Sequence, residues 1–170
     1  MRSRRQGEGD GLEILVWRRR RCAGRYSLAG RGSGVDAESA LIIAGTADPV
    51  VPYAGGQVRL FDEKGRGEVI PVADSASFWR RLDDLPDIPH VTAQLPHASA
   101  GDPTRATLTQ WGEDGPGRRV LLLTISGGGH VEPSVAHRVG ALYTHLLGHQ
   151  NGDVESAELA WRLFRDQRKP

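Results

Sequence analysis

Val120–Ile125, VLLLTI, runs without a break into Ser126-Gly127-Gly128-Gly129-His130, and this stretch decides the fold. Six β-prone, mostly apolar residues in succession mark a strand buried on both faces, as in the interior of an α/β sheet. The three glycines let the backbone turn sharply and come close to other groups, so the strand delivers His130 into a loop at its C-terminal end. Ligands and catalytic groups of open α/β sheets gather at that edge. Upstream, Ala40–Ala44 (ALIIA) is a second buried strand, and it opens into Gly45-Thr46-Ala47-Asp48-Pro49-Val50-Val51-Pro52-Tyr53. Asp48 therefore stands in the turn at that strand's end.

Working outward, the spacing of Phe78 and Leu82 predicts a helix over Ser75 to Asp84, stopped by Pro86 and Pro89. Strands are expected at His90–Leu95 and Ala106–Trp111, one of them at an edge. Two helices should follow His130. The first places Val135, Val139, Leu142 and Leu146 on one face, the second Val154, Ala157, Trp161 and Phe164, and both faces should be buried against the sheet. Asn151-Gly152-Asp153 separates them, with Gly152 ending one helix and Asp153 a natural N-cap for the next. The expected fold class is α/β, a mostly parallel sheet flanked by helices. No internal repeat or low-complexity tract interrupts it.

Of the 170 residues 38% are hydrophobic and 25% charged, with 22 Gly and 10 Pro, so a folded domain rich in turns is expected rather than a disordered chain. Full α/β enzymes often need about 200–250 residues, which makes one domain, shorter than the whole fold, the natural expectation. Charge divides the chain. Residues 1–34 hold nine Arg against three acids, leaving the remainder with 13 basic and 18 acidic side chains. That Arg/Gly-rich segment has one strand-like stretch, Glu13–Trp17, and reads as disordered or foreign to a domain spanning 35–170. Its guanidinium groups could bind phosphates, but no aromatics interleave with them as a single-strand platform requires, so a nucleic-acid partner is not expected.

One cysteine, Cys22, leaves no internal disulfide and no thiolate zinc site. No run reaches the roughly 20 apolar residues of a membrane span, and no signal peptide is expected. His145 and His149 lie one helical turn apart, yet no third ligand joins them at a motif spacing; a solvated helix end is the better account. The glycines before His130 lack the Lys-Ser/Thr of a phosphate loop. Neither a metal nor a cofactor is expected.

Asp48 and His130 carry the chemistry. An Asp before Pro49 equally closes a turn, and Gly-Gly-Gly-His alone is more often a plain loop. Together, each at the end of a buried strand, they stand in the order of a triad whose serine comes first. In such a triad the carboxylate fixes the imidazole tautomer while the other ring nitrogen takes and returns the nucleophile's proton.

With these residues the chain resembles the polyhydroxybutyrate-depolymerase and feruloyl/acetylxylan-esterase family of secreted α/β-hydrolases. The matching pieces are LIIAGTADPVVPYAGG (41–56), SASFW (75–79), the strand with GGGH (121–130) and DVESAELAWRLF (153–164), in family order. The resemblance implies the C-terminal half of an α/β-hydrolase serine esterase, with Asp48 as triad acid, His130 as triad base, and Trp161 and Phe164 on a final helix packed on the sheet. An ester substrate, polyester or plant cell-wall ester, follows from it.

Departures from the family pattern are specific. No Gly-x-Ser-x-Gly is present: Ser99 has Gly101 two positions on but His97 two before, and neither Ser33 nor Ser126 has both glycines. The oxyanion-hole segment is absent too. Val131-Glu132-Pro133-Ser134 replaces a Thr-Trp-Pro-Gly-like run, and Arg81–Leu85 stands where an Asn-Gly-Cys is usual. The expectation is an acid–base half without a nucleophile, inactive alone, prone to aggregate or to dock onto a complementary N-terminal fragment, with a disrupted or misassigned reading start. The rivals are a prolyl-oligopeptidase-like or dienelactone-hydrolase-like fragment, whose Gly-Thr-x-Asp-x-x-Val-Pro turn is similar, and a non-catalytic binding protein working through the basic arm.

Overall fold

The computed structural model describes residues 14–16, 39–59, 67–115 and 117–165. Its main sheet has strand order β1 (Ile14–Val16), β2 (Ala40–Gly45), β7 (Val120–Ser126), β6 (Arg105–Trp111), β5 (Val91–Gln94); β3 (Gly56–Gln57) and β4 (Glu68–Val69) form a separate ribbon. Three helices, α1 (Val72–Leu82), α2 (Ala141–Leu147) and α3 (Ser156–Phe164), complete a mixed α/β architecture. Glu13 and Trp17, and the rest of residues 1–34 apart from β1, lie outside the described residues. Among the described residues no helix is long and apolar enough to cross a membrane.

The two strands read as buried are central neighbours, paired in parallel from Ala40↔Val120 to Gly45↔Ile125. Alternate residues face opposite layers. Ala40, Ile42, Ala44, Val120 and Leu122 pack under Val72, Ala76 and Trp79 of α1, while Leu41 and Leu121 pack under Leu163 of α3. Leu41, Ile42, Leu123 and Leu163 are all but fully buried, each such side chain contributing about 1.5–3 kcal/mol.

The sheet is mixed, which corrects the expectation of mostly parallel pairing: β1–β2, β5–β6 and β6–β7 are all antiparallel. For β5–β6 and β6–β7 connection length is the reason. Only residues 112–119 separate β6 from β7, too few for the crossover of a dozen or more residues that a parallel neighbour needs. Two reversals bring β5 parallel to β2 and β7 again, so the C-terminal ends of all three strands share one rim. Of the two strands expected from the sequence here, β5 stands at an edge of the sheet, opposite β1.

The helical faces also differ from the sequence reading. In α1, Trp79 is buried and Phe78 is 42% exposed, because the stripe Val72, Ala76, Trp79 meets the sheet. α2 begins only at Ala141; Val135 and Val139 lie on an irregular segment, and Leu142 and Leu146 are exposed. In α3, Leu159, Ala160, Leu163 and Phe164 pack inward, whereas Trp161 is 58% exposed. Asp153 does not cap α3: Glu155 holds the N-cap position without a side-chain bond. Gly148, at φ 88°, rather than Gly152, follows α2.

Candidate active site

The parallel ladder of β2 and β7 ends at Gly45↔Ile125, so the loops carrying Asp48 and His130 leave the sheet side by side. His130 Nδ1 lies 2.9 Å from Asp48 Oδ2, across 82 residues of sequence. Asp48 Oδ1 accepts the backbone N–H groups of Val50 (2.7 Å) and Val51 (2.8 Å), which orients the carboxylate and leaves Oδ2 for the imidazole. The Asx-type turn and the acid–base contact thus use opposite oxygens of one side chain. An ionised carboxylate only accepts, so the contact requires the Nδ1–H tautomer and leaves Nε2 as the basic nitrogen.

Backbone contacts lock the two loops. Ala47 N–H donates to Gly128 O and Thr46 N–H to Ile125 O, each at 2.9 Å. Gly129 N–H donates to His149 O and His130 N–H to Leu147 O, tying the histidine loop to the chain that leaves α2. These approaches need glycine: a Cβ on Gly45 would stand 2.3 Å from Gly128 O, and one on Gly129 2.0 Å from Leu147 O.

Downstream of His130 the segment 131–140 has no regular structure, and polar side chains of 150–156 hold it. Gln150 Nε2 donates to Glu132 O and His137 O, and its Oε1 accepts from Val139 N–H. Glu155 accepts from Ser134 Oγ and the N–H groups of Val135 and Ala136, and Ser156 Oγ donates to Pro133 O. These bonds explain why the apolar period through Val135 and Val139 does not become helix: their positions are claimed by other partners.

Beside His130 is a cavity of about 120 Å³ lined by Ile43, Ala44, Gly45, Asp48, Val51, Val72, Ile125, Gly129, His130, Val131, Glu132 and Pro133. No serine, threonine or cysteine is among these lining residues, so no hydroxyl or thiol nucleophile is supplied there by the described residues. Ser99 instead lines a separate cavity of about 650 Å³ with Asp102, Arg138 and His149. Among the described residues no three His, Cys, Asp or Glu side chains are placed to hold a metal ion. No family model, curated protein or solved structure matches the chain.

A second His–Asp contact escaped the sequence reading. His97 Nδ1 lies 3.0 Å from Asp153 Oδ2, which is also reached by Asn151 Nδ2, while Ala98 N–H donates to Asp153 Oδ1. His97 Nε2 is buried without a partner, so this pair pins a loop and offers no exposed base. No buried run of the usual length precedes His97 to announce it. Burial works to raise the Asp153 carboxyl, but the Ala98 amide, His97 and Asn151 outweigh it and hold it below the ordinary 3.8. At Asp102 burial likewise raises, and Thr104, Gly152 and Arg138 prevail in lowering. A carboxyl depressed in the folded state stabilises above its unfolded value and loses that contribution as pH falls through the folded one. Stability should therefore drop below about pH 3.8, and Asp153→Asn should flatten that drop in acid titrations followed by circular dichroism. An unchanged acid limb in this variant would count against the pinning role.

Proposed function

We propose that this chain carries the acid–base half of a carboxylic-ester hydrolase of the α/β-hydrolase serine-esterase type. The observation that supports it is the 2.9 Å contact between Asp48 and His130 at the rim where β2 and β7 end. His130 Nε2 would take the hydroxyl proton of a serine as its oxygen attacks the ester carbonyl, and return it to the departing alkoxide. Water then cleaves the acyl-enzyme by the same proton route. Asp48 holds the tautomer and stabilises the imidazolium. The serine and the oxyanion donors come from a complementary segment carrying a Gly-x-Ser-x-Gly turn, which docks beside the cavity at His130. Without it the members of a triad lose nearly all of their joint acceleration.

The purified chain alone should release no nitrophenol from short-chain nitrophenyl esters above background. Assembled with the serine-bearing half of such an esterase it should hydrolyse them, and His130→Ala should abolish that rate. Hydrolysis by the chain alone, lost in His130→Ala, would place a nucleophile inside it and refute the half-site reading. An assembled rate indifferent to His130→Ala would remove the acid–base role altogether.

A further inference from the structure

We infer that Thr46 is a positioning residue for the acid–base pair: its hydroxyl, by accepting the Gly127 N–H, sets the distance between the loop of Asp48 and the loop of His130. The inference rests on the functional reading above but concerns a residue that touches neither reacting group. Three hydrogen bonds join the loops just beyond the last ladder pair. Two are backbone to backbone, Thr46 N–H to Ile125 O and Ala47 N–H to Gly128 O, and any residue but proline could make them. The third, Gly127 N–H to Thr46 Oγ1 at 2.9 Å, depends on the side chain at 46.

Gly127 is where this bond is needed. Its φ of 74° turns the chain out of β7, and its N–H lies past the last ladder pair, where no strand carbonyl stands opposite. Thr46 fills that place from the opposite loop, two residues before Asp48 and three residues from His130 through Gly127. An aliphatic side chain of the same shape would leave the amide to water and release one of the three ties. Asp48 and His130 need alignment within hydrogen-bonding reach, a tolerance that a loosened tie of this kind exceeds. A β-branched hydroxyl also has few rotamers, so the acceptor is held rather than sampled.

The test reads the imidazole directly and does not need the assembled enzyme. In the full chain labelled with ¹⁵N-histidine, nitrogen shifts report the His130 tautomer and solvent exchange reports the Nδ1 proton. Thr46→Val should speed that exchange by about tenfold, the scale of one lost hydrogen bond, and mix the tautomers, while Thr46→Ser should keep the wild-type signal. Should Thr46→Val fail to fold, Thr46→Ala carries the same expectation. Asp48→Asn is the control that abolishes the Nδ1–H tautomer. If it does so while Thr46→Val and Thr46→Ala leave exchange unchanged, or if Thr46→Ser is as impaired as Thr46→Val, the positioning role is wrong and the acid–base pair stands. If Asp48→Asn itself changes nothing, the functional reading fails first.

Discussion

Gly129→Ala is expected to cost about 3–5 kcal/mol, a sum of about 1 kcal/mol for each of two hydrogen bonds and 1–3 kcal/mol for overpacking. The added Cβ would lie 2.0 Å from Leu147 O and 2.5 Å from Gly148 Cα, both backbone atoms that cannot swing aside. Relief requires the two chains to separate, which breaks Gly129 N–H to His149 O and His130 N–H to Leu147 O. Those bonds hold the histidine loop, so His130 should leave Asp48 as well. Against a total stability of about 5–15 kcal/mol, the loss moves the midpoint of urea unfolding far down or leaves no folded baseline. Gly101→Ala is the control, because its Cβ would meet only Ser99 Oγ, at 3.8 Å. Equal midpoints for the two variants would show that the loops do not pack as described.

The second large effect is chemical rather than structural. In Asp48→Asn the amide oxygen keeps the acceptor position facing Val50 N–H and Val51 N–H, since an NH₂ there would oppose two donors. The NH₂ then faces His130 Nδ1 and can only donate to it. The imidazole is forced into the Nε2–H tautomer, which cannot accept a proton from a serine. In the assembled enzyme kcat should fall about 10⁴-fold, the penalty of a wrong tautomer in a triad, while unfolding shifts by less than about 1 kcal/mol. A kcat within tenfold of wild type would mean that Asp48 does not orient the base.

These two residues also separate what can be read along the chain from what cannot. That Asp48 and His130 each stand just beyond a buried strand was legible, because an unbroken apolar run followed by glycine or proline is a local pattern. The strands Val91–Gln94 and Arg105–Trp111 were legible as short segments between turn residues, the second by its alternation of Thr107, Thr109 and Trp111 with Leu108 and Gln110, and so was the edge position of one of them. Helix faces were not. Of the stripe expected along α3, Val154 and Phe164 do pack inward, but Ala157 and Trp161 fit a period of 3.6 as well as Leu159, Ala160 and Leu163 do, and only the leucines and isoleucines of β2 and β7 lying opposite select the latter three. In α1 the same competition places Trp79 inside and Phe78 outside.

Polar contacts between distant segments were still less accessible. Nothing near His97 points to Asp153, and Asp153 read as a helix cap until another partner 56 residues away is seen to hold it. Thr46 looked like one more turn residue. The amino-acid order by itself determined which strands are buried and that an acid and a histidine stand at their ends, because burial on both faces and the sharpness of a glycine turn are properties of a few adjacent residues. The tertiary structure alone decided that β2 and β7 lie parallel in one register, that their two loops leave from the same rim, and that Nδ1 meets Oδ2, because a hydrogen bond across 82 residues depends on every element packed between them.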